Sequence, residues 1–536
     1  MASFREGLRA LFLETFVFIW CNTVRLLFWL RYLWSTPHRA PPVKNELLLK
    51  SAVRLAAEIR EGKVKSSDVV RSYINRIQQV QPLLNAVIED AYEEALRKAE
   101  EVDRIVASGS RTVQQMQQET PLLGVPITTK NCVAVKGMRY DVGSAFSKGR
   151  RANQDAVVVS RLRAAGAILV AMTNVPEQLL WFDCENTLDG ATRNPYDTRR
   201  VPGGSSGGEG SLIAAAGSIM GIGTDIAGSI RLPCAYCGIF GHKPTSGIVP
   251  LDGLLPDVGT MVKYNSAGPM CRYAEDMPLM LSVMAGQKAT ELRLESQVLM
   301  RNLKVFYMED EGSVLLSKVK SEARKAVKEV INFIRNAHGV EPSRLDVPEI
   351  RYSMPQWLLA YNESKSRPLH EVFRPGSNGI SFCTELLRIL TGTCPNTAAA
   401  MLLCWASTLS RFSSESAVAA FRGTLDLLRD RLEALLGDDG VFILPATSAP
   451  AAYHHQDLFF PDGFNFLSVF NVLEVPVSAC PVLRTSDGLP MAVQVVASRG
   501  NDRLCLAVAK EIEKQFGGWV EPAKSKQKLS VRGSLM

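Results

Sequence analysis

Three side chains of the types that activate one another in acyl transfer occur in sequence order: Lys130, Ser205 and Ser229. Lys130 ends the apolar run GVPITTK, and each serine stands in a glycine-rich segment. A neutral lysine can accept the proton of a serine hydroxyl, so a serine nucleophile activated in this way needs no histidine. The trio therefore predicts a serine hydrolase that cleaves amides with a lysine base and a second, proton-relaying hydroxyl.

The local sequence around these residues suits that chemistry. The lysine must be neutral, which requires a desolvated site, and the run GVPITT supplies an apolar approach to it. Segment 225–229, DIAGS, offers successive backbone amides in a tight turn, and such donors stabilise the oxyanion of a tetrahedral intermediate. The alanine-rich segment 211–217 joins the two glycine–serine runs and is expected to be a buried helix.

Other arrangements fit the same residues less well. GGSSGG matches G-x-S-x-G twice, centred on Ser205 and on Ser206. A nucleophile elbow needs a strand before its serine, whereas RNPYDTRRVP is polar and turn-like. No GK[ST] follows the glycines, and the dinucleotide-binding pattern fails where Ile226 stands in place of its third glycine. The sequence therefore favours neither an α/β-hydrolase nor a nucleotide-binding loop.

No cofactor and no metal are expected. Cys234 and Cys237 form a lone CxxC among eleven scattered cysteines. Zinc and redox sites of this kind need further Cys or His ligands nearby. Buried free thiols are the favoured interpretation.

The net charge of +7 lies at the two ends of the chain, since residues 51–519 are neutral overall. A neutral body with basic ends is not typical of a nucleic-acid surface. It suits a membrane-facing anchor and a solvated tail better.

Residues 8–34 are rich in Leu, Phe and Trp and could form one helix of about membrane-spanning length. Glu14, Asn22 and Arg25 interrupt the segment, and charges in mid-membrane are costly. We expect an uncleaved anchor that either spans the membrane or lies in its interface. A soluble helix packed on the body is the alternative. The flanking basic residues are expected to place the body in the cytosol. An endomembrane and a lipid-droplet surface both stay open as the site of attachment.

The remaining pattern alternates strands and helices, which predicts an α/β fold. Helices are expected over residues 63–80, 85–107 and 502–516, and a helix followed by a strand over 157–174. Residues 380–412 should form two short helices, either core elements or a hairpin that dips into a membrane. The expected division is an anchor and linker over 1–40, a catalytic domain over 41–520 and a disordered basic tail over 521–536.

The segment GGSSGGEG…GTDIAGSIRLPCAYCGIFGHKPT resembles the amidase signature family over more than forty residues. The resemblance extends to GVPITTK, TNVPEQLLWFDCEN, NPYD and VPVSACPV…GLPMAVQVVA, and so covers roughly residues 50–520. It implies a single large α/β domain with a mixed β-sheet core flanked by helices, preceded here by the N-terminal hydrophobic helix.

The resemblance also implies roles for individual residues. Ser229 would be the nucleophile, Lys130 the base, and Ser205 the relay, held by a cis peptide bond after Gly204. The backbone amides of four residues would form the oxyanion hole: Ile226, Ala227, Gly228 and Ser229. Ser206 would support the hydrogen-bond network, and Asp225 and Arg231 would hold the loop. The family usually has glycine at position 227, and alanine there would weaken activity if the position needed a positive φ.

The N-terminal segment and the late apolar region resemble the branch of the family that cleaves fatty-acid amides. By that resemblance the substrates would be long-chain primary amides such as oleamide, and N-acylethanolamines. Leu179, Leu180, Trp181 and Phe182 could line an acyl channel, or belong to an ordinary core. Expected partners are the lipid amide, a bilayer or lipid-droplet surface and a second copy of the chain, but no nucleic acid. An amidotransferase-type amidase subunit and a catalytically inactive membrane scaffold are the two alternatives.

Overall fold

A computed structural model describes residues 2–255, 259–310, 312, 318–363, 368–377, 379–410, 415–460 and 466–525. Its strands are β1 (Val87–Asp90), β2 (Pro126–Lys130), β3 (Ile168–Thr173), β4 (Glu185–Asn186), β5 (Gly190–Ala191), β6 (Met220–Asp225), β7 (Phe240–Lys243), β8 (Ser266–Cys271), β9 (Lys304–Tyr307), β10 (Ser343–Arg344), β11 (Gly440–Pro445), β12 (Val477–Arg484) and β13 (Pro490–Ala497).

The helices of the described residues flank these strands. They are α1 (Ala2–Tyr32), α2 (Ala52–Arg60), α3 (Ser66–Leu84), α4 (Tyr92–Ser108), α5 (Val113–Glu119), α6 (Val157–Ala164), α7 (Gly207–Ala214), α8 (Arg231–Cys237), α9 (Asp276–Ala285), α10 (Ser321–His338), α11 (Ser353–Glu363), α12 (Leu369–Phe373), α13 (Phe382–Leu390), α14 (Ala398–Ser410), α15 (Glu415–Leu436), α16 (Val469–Val472) and α17 (Asp502–Phe516).

Eleven of the strands form one mixed sheet in the order β1-β3-β2-β6-β8-β7-β12-β13-β11-β9-β10, and β4 and β5 form a separate hairpin. The predicted α/β fold with a mixed sheet core and flanking helices is confirmed. Strands β2 and β6 pair in parallel, so their carboxyl ends meet at the same edge of the sheet. This places Lys130, the last residue of β2, beside the end of β6.

Most of the predicted elements are present. The helix and strand of 157–174, the two short helices of 380–412 and the C-terminal helix all occur. The alanine-rich segment contributes to α7, every residue of which is buried. The prediction of one helix over 85–107 was wrong in its first part, because β1 precedes α4 there. The run VIED in β1 is too short to show a strand period, and its pairing with β3 decides its conformation.

Helix α1 covers most of the N-terminal apolar segment. Its residues Cys21, Val24 and Phe28 pack against Tyr453 and Phe460. Many large apolar side chains of the same segment are exposed: Phe16, Phe18, Ile19, Trp20, Leu26, Leu27, Trp29, Leu30, Leu33 and Trp34. Among the described residues, no helix combines the length and the apolar character needed to cross a bilayer.

The first residues of the segment assigned to the basic tail are ordered. A short 3₁₀ helix covers Pro522–Lys524, Ser525 is buried, and Glu521 accepts a hydrogen bond from the Val43 amide. The rest of that predicted tail, residues 526–536, lies outside the described residues.

Candidate active site

Lys130 stands at the centre of a buried cluster of hydroxyl groups. Its Nζ lies 2.9 Å from Ser205 Oγ, 2.9 Å from Ser206 Oγ and 2.8 Å from Thr224 Oγ1. The lysine is fully buried, and Ser229 is only 8% exposed. The parallel β2–β6 pair supplies Lys130 and Thr224, whereas Ser205 and Ser206 come from the loop before α7. The fold thus brings together residues that are far apart in the chain.

Burial governs the protonation of this cluster. Desolvation lowers the pKa of Lys130, and the nearby Asp225 and Glu209 offset only part of that effect. Burial also raises the pKa of Glu209 to about 7. The Glu209 carboxyl accepts hydrogen bonds from Thr128 (2.7 Å) and Thr173 (2.9 Å), which brace β2 and β3 beside the lysine. The arrangement can therefore hold a neutral amine against a serine hydroxyl.

The loop that carries the first serines is closely packed. The peptide bond between Gly204 and Ser205 is cis, as the resemblance implied. A Cβ at Gly204 would collide with the Trp181 carbonyl oxygen, so the loop approaches the backbone of the 179–182 segment as only glycine allows. The Ser206 amide donates to the Ser229 carbonyl at 3.2 Å. Ser206 is therefore linked both to Lys130 and to the backbone of the candidate nucleophile.

The 225–229 turn is held by the carboxylate of Asp225. Asp225 Oδ1 accepts from the Gly228 amide at 2.6 Å, and Oδ2 accepts from the Ile230 amide at 3.1 Å. Because the Gly228 amide is already paired, the oxyanion donors expected of this turn are reduced to Ile226, Ala227 and Ser229. Gly228 adopts a φ of 118°, while Ala227 is not among the residues with positive φ. The alanine therefore meets no backbone strain at its position.

Arg231 fixes the same turn from behind. Its Nε lies 3.0 Å from Asp225 Oδ2, and its guanidinium also donates to Asn471 Oδ1 at 2.7 Å. Both charged side chains are fully buried. Burial by itself raises the pKa of Asp225, but the charge and hydrogen bonds of Arg231 outweigh it and hold that pKa well below its usual range. Asp225 is thus ionised and can serve as a fixed acceptor for the turn.

An apolar pocket opens beside Ser229. The four residues that the sequence singled out all line it: Leu179, Leu180, Trp181 and Phe182. Several residues from later in the chain also line it: Leu232, Met354, Trp357, Leu358 and Leu403. The pocket also reaches Gly204 and residues 226–229. An apolar chain in this pocket would place the group attached to it at the candidate nucleophile.

Several residues of the site were missed by the sequence reasoning. Thr224 and Glu209 stand inside the quoted glycine-rich segments, but nothing in their spacing indicates contact with Lys130 or its strand. Trp357 donates from Nε1 to the Ile226 carbonyl at 2.9 Å and so supports the 225–229 turn. Trp357 and Asn471 lie more than 100 residues further along the chain, and only the fold brings them to the turn.

The family model described as Amidase matches residues 68–506. The chain therefore belongs to the amidase family, and with it to the hydrolases that act on amides. It is 40% identical over 494 residues to fatty-acid amide hydrolase 2-A of Danio rerio, covering 91% of this chain and 92% of that one. It is also 39% identical over 490 residues to fatty-acid amide hydrolase 2 of Homo sapiens, covering 90% and 92% of the two chains.

A solved structure titled fatty acid amide hydrolase shares the fold, with a TM-score of 0.71 at 22% identity over 94% of this chain and 91% of that one. Two segments of the sequence, 268–277 (GPMCRYAEDM) and 437–442 (GDDGVF), resemble type 2 enzymes within this branch. The type 2 relatives found by comparison agree with that resemblance. The similarity to fatty-acid amide hydrolases of type 2 thus extends over nine tenths of the chain.

Proposed function

We propose that this protein hydrolyses long-chain fatty-acid amides, such as oleamide and N-acylethanolamines, through a Ser229–Ser205–Lys130 triad. The observation that carries the proposal is the buried Lys130 amine, 2.9 Å from Ser205 Oγ, beside an apolar pocket whose wall includes Ser229. Relatives named fatty-acid amide hydrolase 2 support the substrate class.

The first half of the reaction forms an acyl-enzyme. Neutral Lys130 takes the Ser205 proton as Ser205 takes the proton of Ser229, whose Oγ attacks the amide carbonyl carbon. The carbonyl oxygen becomes an oxyanion that the amides of Ile226, Ala227 and Ser229 stabilise. When the C–N bond breaks, the proton returns through Ser205 to the leaving nitrogen, and the amine departs.

The second half reverses the proton path. Water gives a proton to Ser205, and through it to Lys130, while its oxygen attacks the acyl ester of Ser229. The collapse of the second tetrahedral intermediate releases the fatty acid and returns the proton to Ser229. The hydroxyl oxygens of Ser206 and Thr224 accept hydrogen bonds from Lys130 Nζ, and these bonds keep the amine oriented in both protonation states.

A pocket-filling substitution tests the substrate class. Leu403 lines the pocket, whereas its neighbour Leu402 is partly exposed and does not. Leu403→Trp should lower kcat/KM for oleamide by about tenfold or more, because the lost volume removes about 1–3 kcal/mol of chain binding, and should spare butyramide. Leu402→Trp should leave the oleamide-to-butyramide ratio unchanged. Equal effects of the two variants on the oleamide-to-butyramide ratio would exclude this pocket as the acyl site. Cleavage of glutamine but not of oleamide by the native chain would favour an amidotransferase-type subunit.

We propose further that α1 attaches the enzyme to a bilayer or lipid-droplet surface by lying in the interface, with the body in the cytosol. Its protein-facing side holds Arg25, whose guanidinium lies 5.2 Å from the centre of the Phe460 ring, so this charge is directed away from lipid. The exposed side carries Phe18, Leu26 and Trp29. Apolar side chains that are exposed along one helix can enter the boundary between lipid headgroups and acyl chains.

Flotation with liposomes tests the attachment. The full chain should float with phosphatidylcholine vesicles, and the triple substitution Phe18→Ser, Leu26→Ser, Trp29→Ser should abolish flotation, since each lost side chain contributes about 1.5–3 kcal/mol of apolar transfer. Leu427→Ser, which removes an exposed apolar side chain of α15, is the control and should float normally. Unchanged flotation of the triple variant would rule out this face of α1 as the attachment site.

A further inference from the structure

Three metal-ligating side chains converge outside the candidate active site. Asp183 and Glu185 follow directly after the 179–182 wall of the pocket, and His455 lies in the loop before the 3₁₀ helix Gln456–Leu458. One ligand atom from each of the three lies within 4.8 Å of the other two. Among the described residues, no other group of three His, Cys, Asp or Glu side chains converges in this way.

The separations of these atoms approach those of a tetrahedral ion site. Zinc bonds of about 2.0–2.2 Å to nitrogen and oxygen place two tetrahedral ligand atoms about 3.4 Å apart. His455 Nδ1 and Glu185 Oε2 are already 3.3 Å apart. Both side chains are more than a third exposed, so small rotations can bring them toward Asp183 around an ion.

A fourth residue holds the buried ligand in place. The His454 ring donates from Nδ1 to both carboxylate oxygens of Asp183 at 3.2 Å, and the His455 amide donates to Asp183 Oδ2 at 3.4 Å. A hydrogen bond from a neighbouring group is how proteins commonly orient a ligating carboxylate. The other nitrogen of the His454 ring, Nε2, is buried without a hydrogen-bond partner among the described residues.

We propose that Asp183, Glu185 and His455 form a binding site for a divalent transition metal of the Zn²⁺ class. Two carboxylate oxygens and one imidazole nitrogen are a donor set that such an ion accepts, with water at the fourth position. Asp183 forms the buried base of the site, and the exposed edges of Glu185 and His455 give an ion its entry from solvent.

Binding would join two parts of the fold that already meet at hydrogen bonds from His454 and from the His455 amide to the Asp183 carboxylate. Asp183 continues the pocket wall after Trp181 and Phe182. On the other side, Tyr453 stacks on Tyr32 of α1 with ring centres 4.7 Å apart. An ion between the two segments would therefore connect the pocket wall to the segment against which α1 packs. We expect this connection to stabilise the folded protein.

Calorimetric titration and thermal unfolding of the full chain, produced without a histidine tag and stripped with a chelator, test the site. Zn²⁺ should bind with a stoichiometry of one at this site and raise Tm by about 3 °C or more at a hundredfold excess over Kd. Co²⁺ in place of Zn²⁺ should give the visible absorption of a low-symmetry, four-coordinate site.

Substitutions assign the binding to these residues. His455→Gln and Glu185→Gln should each weaken binding at least tenfold and remove the Tm rise. His338→Gln is the matched control, because His338 also faces a single carboxylate, Glu511, at 3.6 Å, and it should leave both measurements unchanged. Absence of stoichiometric binding, or binding that survives both substitutions, would overturn the proposal and leave these residues as ion pairs only.

Discussion

Ser229→Ala should reduce oleamide hydrolysis by about 10⁴-fold or more, to the level that binding and the oxyanion turn alone provide. The reason is that the variant lacks the hydroxyl of the proposed nucleophile, while the 225–229 turn and the pocket remain. The measurements are release of oleic acid by the membrane fraction and covalent labelling by a fluorophosphonate, both of which should be lost.

The control for this variant is Ser468→Ala. Ser468 is buried, and its hydroxyl has no hydrogen-bond partner among the described residues, so its loss should affect neither readout. If Ser229→Ala retained the labelling, the nucleophile would be another residue. If neither the native chain nor the variant turned over any lipid amide or took up the label, a non-catalytic membrane scaffold would be favoured.

Lys130→Ala should lower kcat for oleamide by about 10³-fold. The loss of kcat for methyl oleate should be about ten times smaller, because an alkoxide leaves with less protonation than an amine does. The native enzyme should lose amide activity as the pH falls, since burial lowers the pKa of Lys130 and only the neutral amine is a base. Activity therefore rises with pH through that lowered pKa, and this dependence should vanish in the variant.

Lys243→Ala is the matched control, because Lys243 is also fully buried and donates to the Pro244 carbonyl at 3.0 Å. It should reduce stability and leave the amide-to-ester ratio unchanged. Equal losses on oleamide and methyl oleate in Lys130→Ala would contradict a role for this lysine in protonating the leaving amine.

The active-site loops were predictable because their determinants are local. The turn at 225–229 is one continuous segment whose glycine and small residues permit a tight backbone turn, and the loop before α7 is another. The strand ending at Lys130 follows from a short apolar run. The family resemblance then supplied roles, such as those of Asp225 and Arg231, that local chemistry alone leaves open.

The three-dimensional partners were not predictable in the same way. The hydroxyl of Thr224 reaches Lys130 only because β2 and β6 pair in parallel, and Trp357 reaches the Ile226 carbonyl only because α11 packs over the turn. The pairing of the Gly228 amide with Asp225 is likewise a matter of side-chain geometry. The sequence predicts helix where β1 lies, because four residues are too few to show the period of a strand.

The family, the α/β class and the residues proposed for the reaction could be predicted from the sequence, because these depend on residue type and on short-range spacing. Four other properties come from the folded chain: which hydroxyls surround Lys130, that the Gly228 amide is paired, how α1 divides its apolar surface between protein and solvent, and that Asp183, Glu185 and His455 meet. Those properties depend on contacts between segments up to hundreds of residues apart, for which a single sequence contains no local signal.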